Sequence, residues 1–188
     1  MFMRKTLVTA LMLGCAHSAM AQQSGFGEPA TQEDIDKRFF SVFPDGEFLP
    51  DGEGTAVLGK EIFEYQCHAC HLNPPDESNE LDPEDPADRL FGGHGTIGTD
   101  AALATVGSYW PYATTVFNYV RRAMPYTAPM SLTNTEYYSI TAYLLYKNDI
   151  IGENDVINKD TLPKIKMPNA DNFIMAYPEV PEKYRTQE

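Results

Sequence analysis

One short stretch, Cys67-His68-Ala69-Cys70-His71, constrains this chain more than any other. Two cysteines three residues apart stand about one helical turn from each other, so both thiols can reach the same flat ligand. With histidine directly after the second cysteine, the spacing is that of c-type haem attachment. Cys67 and Cys70 would form thioethers with two vinyl groups of one porphyrin, and His71 would turn its imidazole onto the iron as proximal ligand. Two other chemistries use such cysteines. A thiol–disulfide pair expects a βαβ context, and no such pattern surrounds these residues. A structural zinc site asks for about four protein ligands, for which the chain past its leader offers Cys67, Cys70, His68, His71 and His94.

A length of 188 residues bounds the chain to one domain with long extensions, or at most two small ones. The 14 Lys and Arg against 27 Asp and Glu give a formal charge of -13, which disfavours nucleic acid and anionic membrane surfaces as partners. A partner with a basic face suits that charge; so does plain solubility. Residues 1–21 read as a signal peptide, with Arg4 and Lys5 as the positive start, Thr6 to Leu13 as the apolar core and Ala19-Met20-Ala21 as the cleavage site. The expected location is therefore the periplasm. Met12-Leu13-Gly14-Cys15 loosely resembles a lipoprotein box, which would anchor the chain through Cys15. No later segment has the run of about 18 apolar residues that spans a membrane.

Four regions follow: the signal peptide, an N-terminal extension over 22–53, a monohaem domain over 54–150, and an extended C-terminal tail over 151–188. In the first extension Thr31 is expected to cap a helix over Gln32 to Phe39, with Asp34 in the capping-box position. Phe39, Phe40, Val42, Phe43, Phe48 and Leu49 are too apolar for a free tail and are expected on the domain or a partner subunit. Thr55 to Gln66 reads as the helix leading into the haem motif, its stripe being Val57 or Leu58, Ile62, and Tyr65 or Gln66. His68 holds no ligand position and is expected to face solvent. Leu72 to Asp88 reads as a proline-punctuated acidic surface loop whose oxygen donors lack the regular spacing of a calcium loop.

Gly92-Gly93-His94-Gly95 permits close backbone approach to a haem edge, and His94 is an alternative distal ligand. In the run Thr105 to Pro125, Pro111 fits a first helical turn, with Val116, Phe117 and Val120 on the buried side. Tyr109 and Trp110 are expected to close over the haem edge, and Arg121 or Arg122 to pair with a propionate, solvent exposure being the competing reading for both cations. Met124 is the expected distal ligand, because a thioether raises haem potential relative to a second histidine. Met130 and Met167 are its rivals. Thr133 and Glu136 form a capping box for a closing helix with Tyr137, Ile140, Thr141, Leu144 and Leu145 on its apolar stripe. That helix is expected to cross the Thr55 to Gln66 helix and close an all-α, class I-like cytochrome c fold with long irregular extensions at both ends.

The haem motif, the Ser108 to Thr115 and Arg121 to Pro125 pieces, the Leu132 to Tyr146 helix and Leu162 to Asn169 together resemble the cytochrome c subunit of sulfane dehydrogenase of the Sox sulfur-oxidation system, and the related cytochromes of sulfite dehydrogenases. The resemblance implies one covalent haem c held by Cys67, Cys70 and His71, with Met124 distal. It also implies a molybdenum-containing partner subunit that performs the sulfur chemistry, and a downstream redox protein that takes the electrons. Some members carry a second haem domain, and this chain has no second motif. The chain thus reads as a non-catalytic electron carrier of an oxidoreductase complex. The alternatives are a free monohaem shuttle serving other dehydrogenases, or a haem enzyme with an open distal site.

Overall fold

The computed structural model describes residues 27–34, 41–71 and 87–173. The signal peptide, Cys15, residues 72–86 of the acidic loop, and the apolar and aromatic residues Phe39, Phe40, Ile174, Tyr177 and Tyr184 lie outside them. Two units divide the chain at Phe39 and Phe40. In the first, the expected capping box is present: Asp34 N donates to Thr31 Oγ1 at 3.1 Å, and Thr31 N donates to an Asp34 carboxylate oxygen at 3.2 Å.

The described part of the second unit is predominantly helical. In chain order it holds β1 (Glu53–Gly54), α1 (Ala56–Gln66), α2 (Ala113–Ala123), α3 (Asn134–Lys147) and β2 (Ile157–Asn158), then 3-10 turns at Leu162–Lys164 and Ala170–Asn172. β1 and β2 form a two-stranded antiparallel sheet in which Glu53 faces Asn158 and Gly54 faces Ile157. Among the described residues no helix is long and apolar enough to cross a membrane.

α3 is the axis. Thr133 and Glu136 make the expected reciprocal capping box at its start. Every residue from Tyr137 to Leu145 is buried, so the helix is covered on all sides and not along one stripe. Ser139 and Thr141, which would be poor interior choices if left unpaired, return their hydroxyls to the carbonyls of Thr135 and Tyr137.

α1 packs most extensively on α3. Its buried face is Ala56, Gly59, Ile62 and Phe63, whereas Val57, Leu58 and Tyr65 of the expected stripe are exposed. The physical reason is helix proximity. A Cβ on Gly59 would overlap the backbone carbonyl of Ser139, so the smallest side chains, and not the largest, face the crossing. Thr55 caps α1 by accepting from Leu58 N.

α2 buries Ala113, Thr114, Val116, Phe117 and Val120, including the three residues expected. Pro111 stands just before the N-cap, Tyr112, and so falls outside the first turn assigned to it from sequence. Phe117 packs against Tyr138 with ring centroids 4.5 Å apart. Segments on either side of the helices join the same core: Val42 and Leu49 before β1, and Ile157, Leu162 and Met167 after α3, are all buried. Polar ties hold them there. Val42 N donates to Asn118, Thr114 Oγ1 to the Pro44 carbonyl, and Asn169 to the Tyr109 carbonyl.

Candidate haem site

A cavity of about 580 Å³ opens between the end of α1, the segments 87–90 and 104–106, and the C-terminal half of α2. That volume suits a cofactor, since such sites commonly span ~300–1,000 Å³. Its wall is largely hydrocarbon, with Phe63, Leu90, Val106, Val116, Ile140 and Leu144 contributing. Into this apolar space the fold brings Cys67, Cys70, His71, Trp110 and Met124 together.

Local structure explains the first three. α1 ends at Gln66, and Cys67 as its C-cap donates its N–H back to the Phe63 carbonyl. The next turn closes with Cys70 N and His71 N both donating to the Cys67 carbonyl, at 3.1 and 2.9 Å. Both thiols and the imidazole are thereby gathered on one tight turn. Both cysteines are free, Cys67 half-buried and Cys70 exposed. Burial pushes the Cys67 thiol up to about 11, and the neighbouring Cys70 adds to the shift. A thiol–disulfide exchange site works through a thiolate of lowered pKa. Cys67 stays protonated at neutral pH, the opposite condition.

His71 Nδ1 lies 3.0 Å from the Asp88 carbonyl oxygen. A carbonyl can only accept, so Nδ1 carries the proton, and in the neutral ring the lone pair is left on Nε2. This is the tautomer that a metal-ligating histidine uses, with its second nitrogen held by an outer partner.

Met124 is the C-cap of α2, in extended conformation, with its N–H bonded to the Val120 carbonyl. It is half-buried and packed against the core. Neither rival methionine lines the cavity: Met167 is 1% exposed within the core, and Met130 is 44% exposed at a left-handed backbone position. His94 borders a separate small pocket with Asn148, Asp149 and Lys166. His68 is exposed, as expected.

The remaining sequence candidates divide. Trp110 lines the cavity and stacks edge-on against Tyr119, centroids 5.7 Å apart. Tyr109 does not line it; its ring meets Phe173 edge-on at 5.5 Å. Arg121 and Arg122 lie in the last turn of α2, where cations suit the helix dipole, and are not cavity residues; Arg122 donates to Ser41 at 3.1 Å. The cation that does line the cavity is Arg89, 7% exposed. Sequence reading passed over it because it follows an acidic proline-rich run that reads as surface loop. The one available signal was a lone arginine beside the apolar pair Leu90-Phe91.

The donor set fits a covalently held haem: two thiols on one turn, an imidazole with a free Nε2, and a thioether, all around one apolar cavity with a buried guanidinium in its wall. Among the described residues no group of three or more His, Cys, Asp or Glu gathers to hold a separate metal ion.

No protein-family model matches the chain, and no curated protein does. A solved structure does. A chain in the crystal structure of the sulfane dehydrogenase SoxCD from Paracoccus pantotrophus superposes with a TM-score of 0.71 at 35% sequence identity, over 83% of this chain and 72% of that one.

Proposed function

We propose, from the premise that this chain belongs to the family of the SoxCD sulfane dehydrogenase chain it matches, that it is the haem c electron-transfer subunit of a periplasmic sulfur-compound dehydrogenase. The observation that carries this reading is the convergence of Cys67, Cys70, His71 and Met124 on one apolar cavity. A haem bound there supplies one-electron redox chemistry. The protein's own residues do the rest. Cys67 and Cys70 would hold it covalently, each through a thioether. His71 would hold the iron through Nε2, with its Nδ1 held by the Asp88 carbonyl. Met124, also in the cavity wall, would hold the iron through its thioether sulfur. The apolar wall excludes water, and the buried Arg89 places positive charge beside the site, suited to a haem carboxylate. We assign the haem domain a class I-like cytochrome c fold over about 54–150.

The catalytic step then belongs to a partner. The resemblance drawn from sequence implies a molybdenum-containing subunit acting on a sulfane or sulfite, with electrons passing through this chain to a downstream redox protein. The net charge of -13 supports docking on a basic face, and its effect is on encounter rate more than on final affinity.

The test is isolation of the native protein from periplasm. A six-coordinate low-spin haem spectrum, and co-purification of a stoichiometric molybdenum subunit that reduces the haem on adding a reduced sulfur compound, are the expected results. A five-coordinate high-spin resting state sinks the carrier reading. Recovery as a monomer at low and moderate salt, with no reduction by such an enzyme, sinks the partner.

A further inference from the structure

The hydrogen bonds behind the cavity wall meet on a side chain that the haem reading leaves without a role. Asn148, just past the end of α3, is 1% exposed. Its Nδ2 donates to the Leu144 carbonyl at 2.8 Å and to the Leu90 carbonyl at 3.1 Å. Its Oδ1 accepts from Gly92 N at 3.1 Å. Two of these three bonds therefore leave the helix and grip the strip 90–92 from both of its ends.

That strip continues directly from Asp88, whose carbonyl fixes the His71 tautomer. It is also tied on its other flank. Val106 N donates to the Leu90 carbonyl at 3.3 Å, and Thr105 Oγ1 donates to the Gly92 carbonyl at 2.6 Å. The turn carrying Thr105 and Val106 fits against Asn148 only because residue 107 is glycine, since a Cβ there would overlap Asn148 Oδ1. The amide thus sits where α3, the strip after Asp88 and the turn at 105–108 meet. Leu90 and Leu144, whose carbonyls it holds, line the cavity, as do Thr105 and Val106 of that turn.

We infer that Asn148 is a positioning residue for His71: by holding the backbone after Asp88 it keeps the carbonyl on His71 Nδ1 and so sets the orientation and basicity of Nε2. An outer hydrogen bond to a ligating imidazole fixes its ring and raises its donor strength. A stronger donor favours the oxidised iron, so slackening this bond raises the midpoint potential. The part of the inference that concerns potential rests on the haem reading; the part that concerns the His71 hydrogen bond does not.

The experiment compares the full-length wild-type chain as isolated with Asn148→Ala, and with Thr141→Ala as a stability control. Thr141 is equally buried on α3, but its hydroxyl stays within the helix on the Tyr137 carbonyl. NMR follows exchange of the His71 Nδ1 proton with solvent, and potentiometry follows the midpoint. Asn148→Ala is expected to speed that exchange at least tenfold and to shift the midpoint positively; Thr141→Ala is expected to lower Tm and move neither. Should Asn148→Ala not fold, Asn148→Asp keeps the acceptor for Gly92 N and drops both donors, and a partial acceleration is expected. Wild-type exchange and potential in the Asn148 variant, or equal shifts in the Thr141 control, overturn the inference. A wild-type chain that carries no haem overturns the proposed function instead, and the Nδ1 exchange comparison still decides the role of Asn148.

Discussion

The two sides of the cavity are built differently. On the His71 side, the imidazole is tied to the Asp88 carbonyl, and the strip beyond is held by Asn148, Thr105 and Val106. Thr105 and Ser108 lock their own turn: Thr105 N donates to Ser108 Oγ at 2.8 Å, and Ser108 Oγ donates to the Leu103 carbonyl at 2.6 Å. On the Met124 side, the segment after α2 is carried by backbone groups. Met124 N donates to the Val120 carbonyl, and Ala128 N to the Pro125 carbonyl. Tyr126 on that segment is 83% exposed. The chemistry of the two proposed ligands accounts for the contrast. An imidazole has two nitrogens and must present the right one, so a proton has to be placed. A thioether has no proton and needs only to reach.

The largest effect that could break this contrast concerns the ligands themselves. His71→Ala is expected to leave no low-spin haem protein. Met124→Ala is expected to keep the haem covalently attached through Cys67 and Cys70, with a potential lower by on the order of 0.1 V, within the ~0.8 V over which axial ligands set haem potentials. Absorption spectra and potentiometry on the two variants check this. A Met124 variant with wild-type spectrum and potential rejects that ligand, and Met130→Ala and Met167→Ala measured alongside identify which rival replaces it.

Next in size is the buried polar wall. Thr105 is 3% exposed, and Thr105→Val strands the Gly92 carbonyl and the Gly107 and Ser108 N–H groups that bond to the hydroxyl. Leaving a buried polar group unpaired costs about 1–3 kcal/mol, so a loss near the top of that range is expected in denaturant unfolding. A change below ~0.5 kcal/mol means the His71 side is no more constrained than the other.

These two walls were unequally legible in the sequence. The haem motif, the α3 capping box and the buried side of α2 follow from local spacing, because each is decided within one or two turns of helix. The face of α1 did not follow: Val57 and Leu58 look like core, but the crossing is decided by Gly59 meeting Ser139, a residue distant in sequence. Asn148 carries no local signal at all, since its partners Leu90 and Gly92 lie 58 and 56 residues away. Ile157, Leu162 and Met167 sit in proline-punctuated sequence that reads as tail, and their burial depends on β2 finding β1. The interactions that escape a sequence reading here are those whose two halves are far apart and individually ordinary.

A third test uses pH. Cys67 titrates at about 11 in the folded chain against an ordinary 9.0, because burial disfavours its thiolate. The unfolded chain therefore releases this proton first, and stability falls as pH rises from 9.0 towards 11. The loss is at most about 3 kcal/mol, at about 1.4 kcal/mol per unit over the two units. In a chain whose Cys67 sulfur is a thioether there is no thiol to titrate, and this limb is absent. Tyr138, pushed up to about 12 by burial, still destabilises the fold from its ordinary 10.0 upward in both forms. Unfolding free energies at several pH values, with haem-free wild-type protein beside haem-attached protein, separate the two. A limb below pH 10 that persists in both forms belongs to some other group.

The smallest effect is expected at Tyr126, and it probes the Met124 side directly. The ring is 83% exposed yet borders the cavity. Tyr126→Ala removes little buried area, so its stability is expected within ~0.5 kcal/mol of wild type, the usual range for a surface substitution. The residue nevertheless lines the apolar cavity. With the proposed haem bound, removing the ring is expected to admit water beside it, and water favours the more highly charged oxidation state of the iron. The expected signature is thus a lowered midpoint potential at unchanged Tm, the reverse of a core defect. It also differs in sign from Asn148→Ala, which acts through the imidazole. A stability loss above ~1 kcal/mol in Tyr126→Ala would mean that the segment after α2 is packed as firmly as the wall behind His71, and the contrast between the two sides would fail.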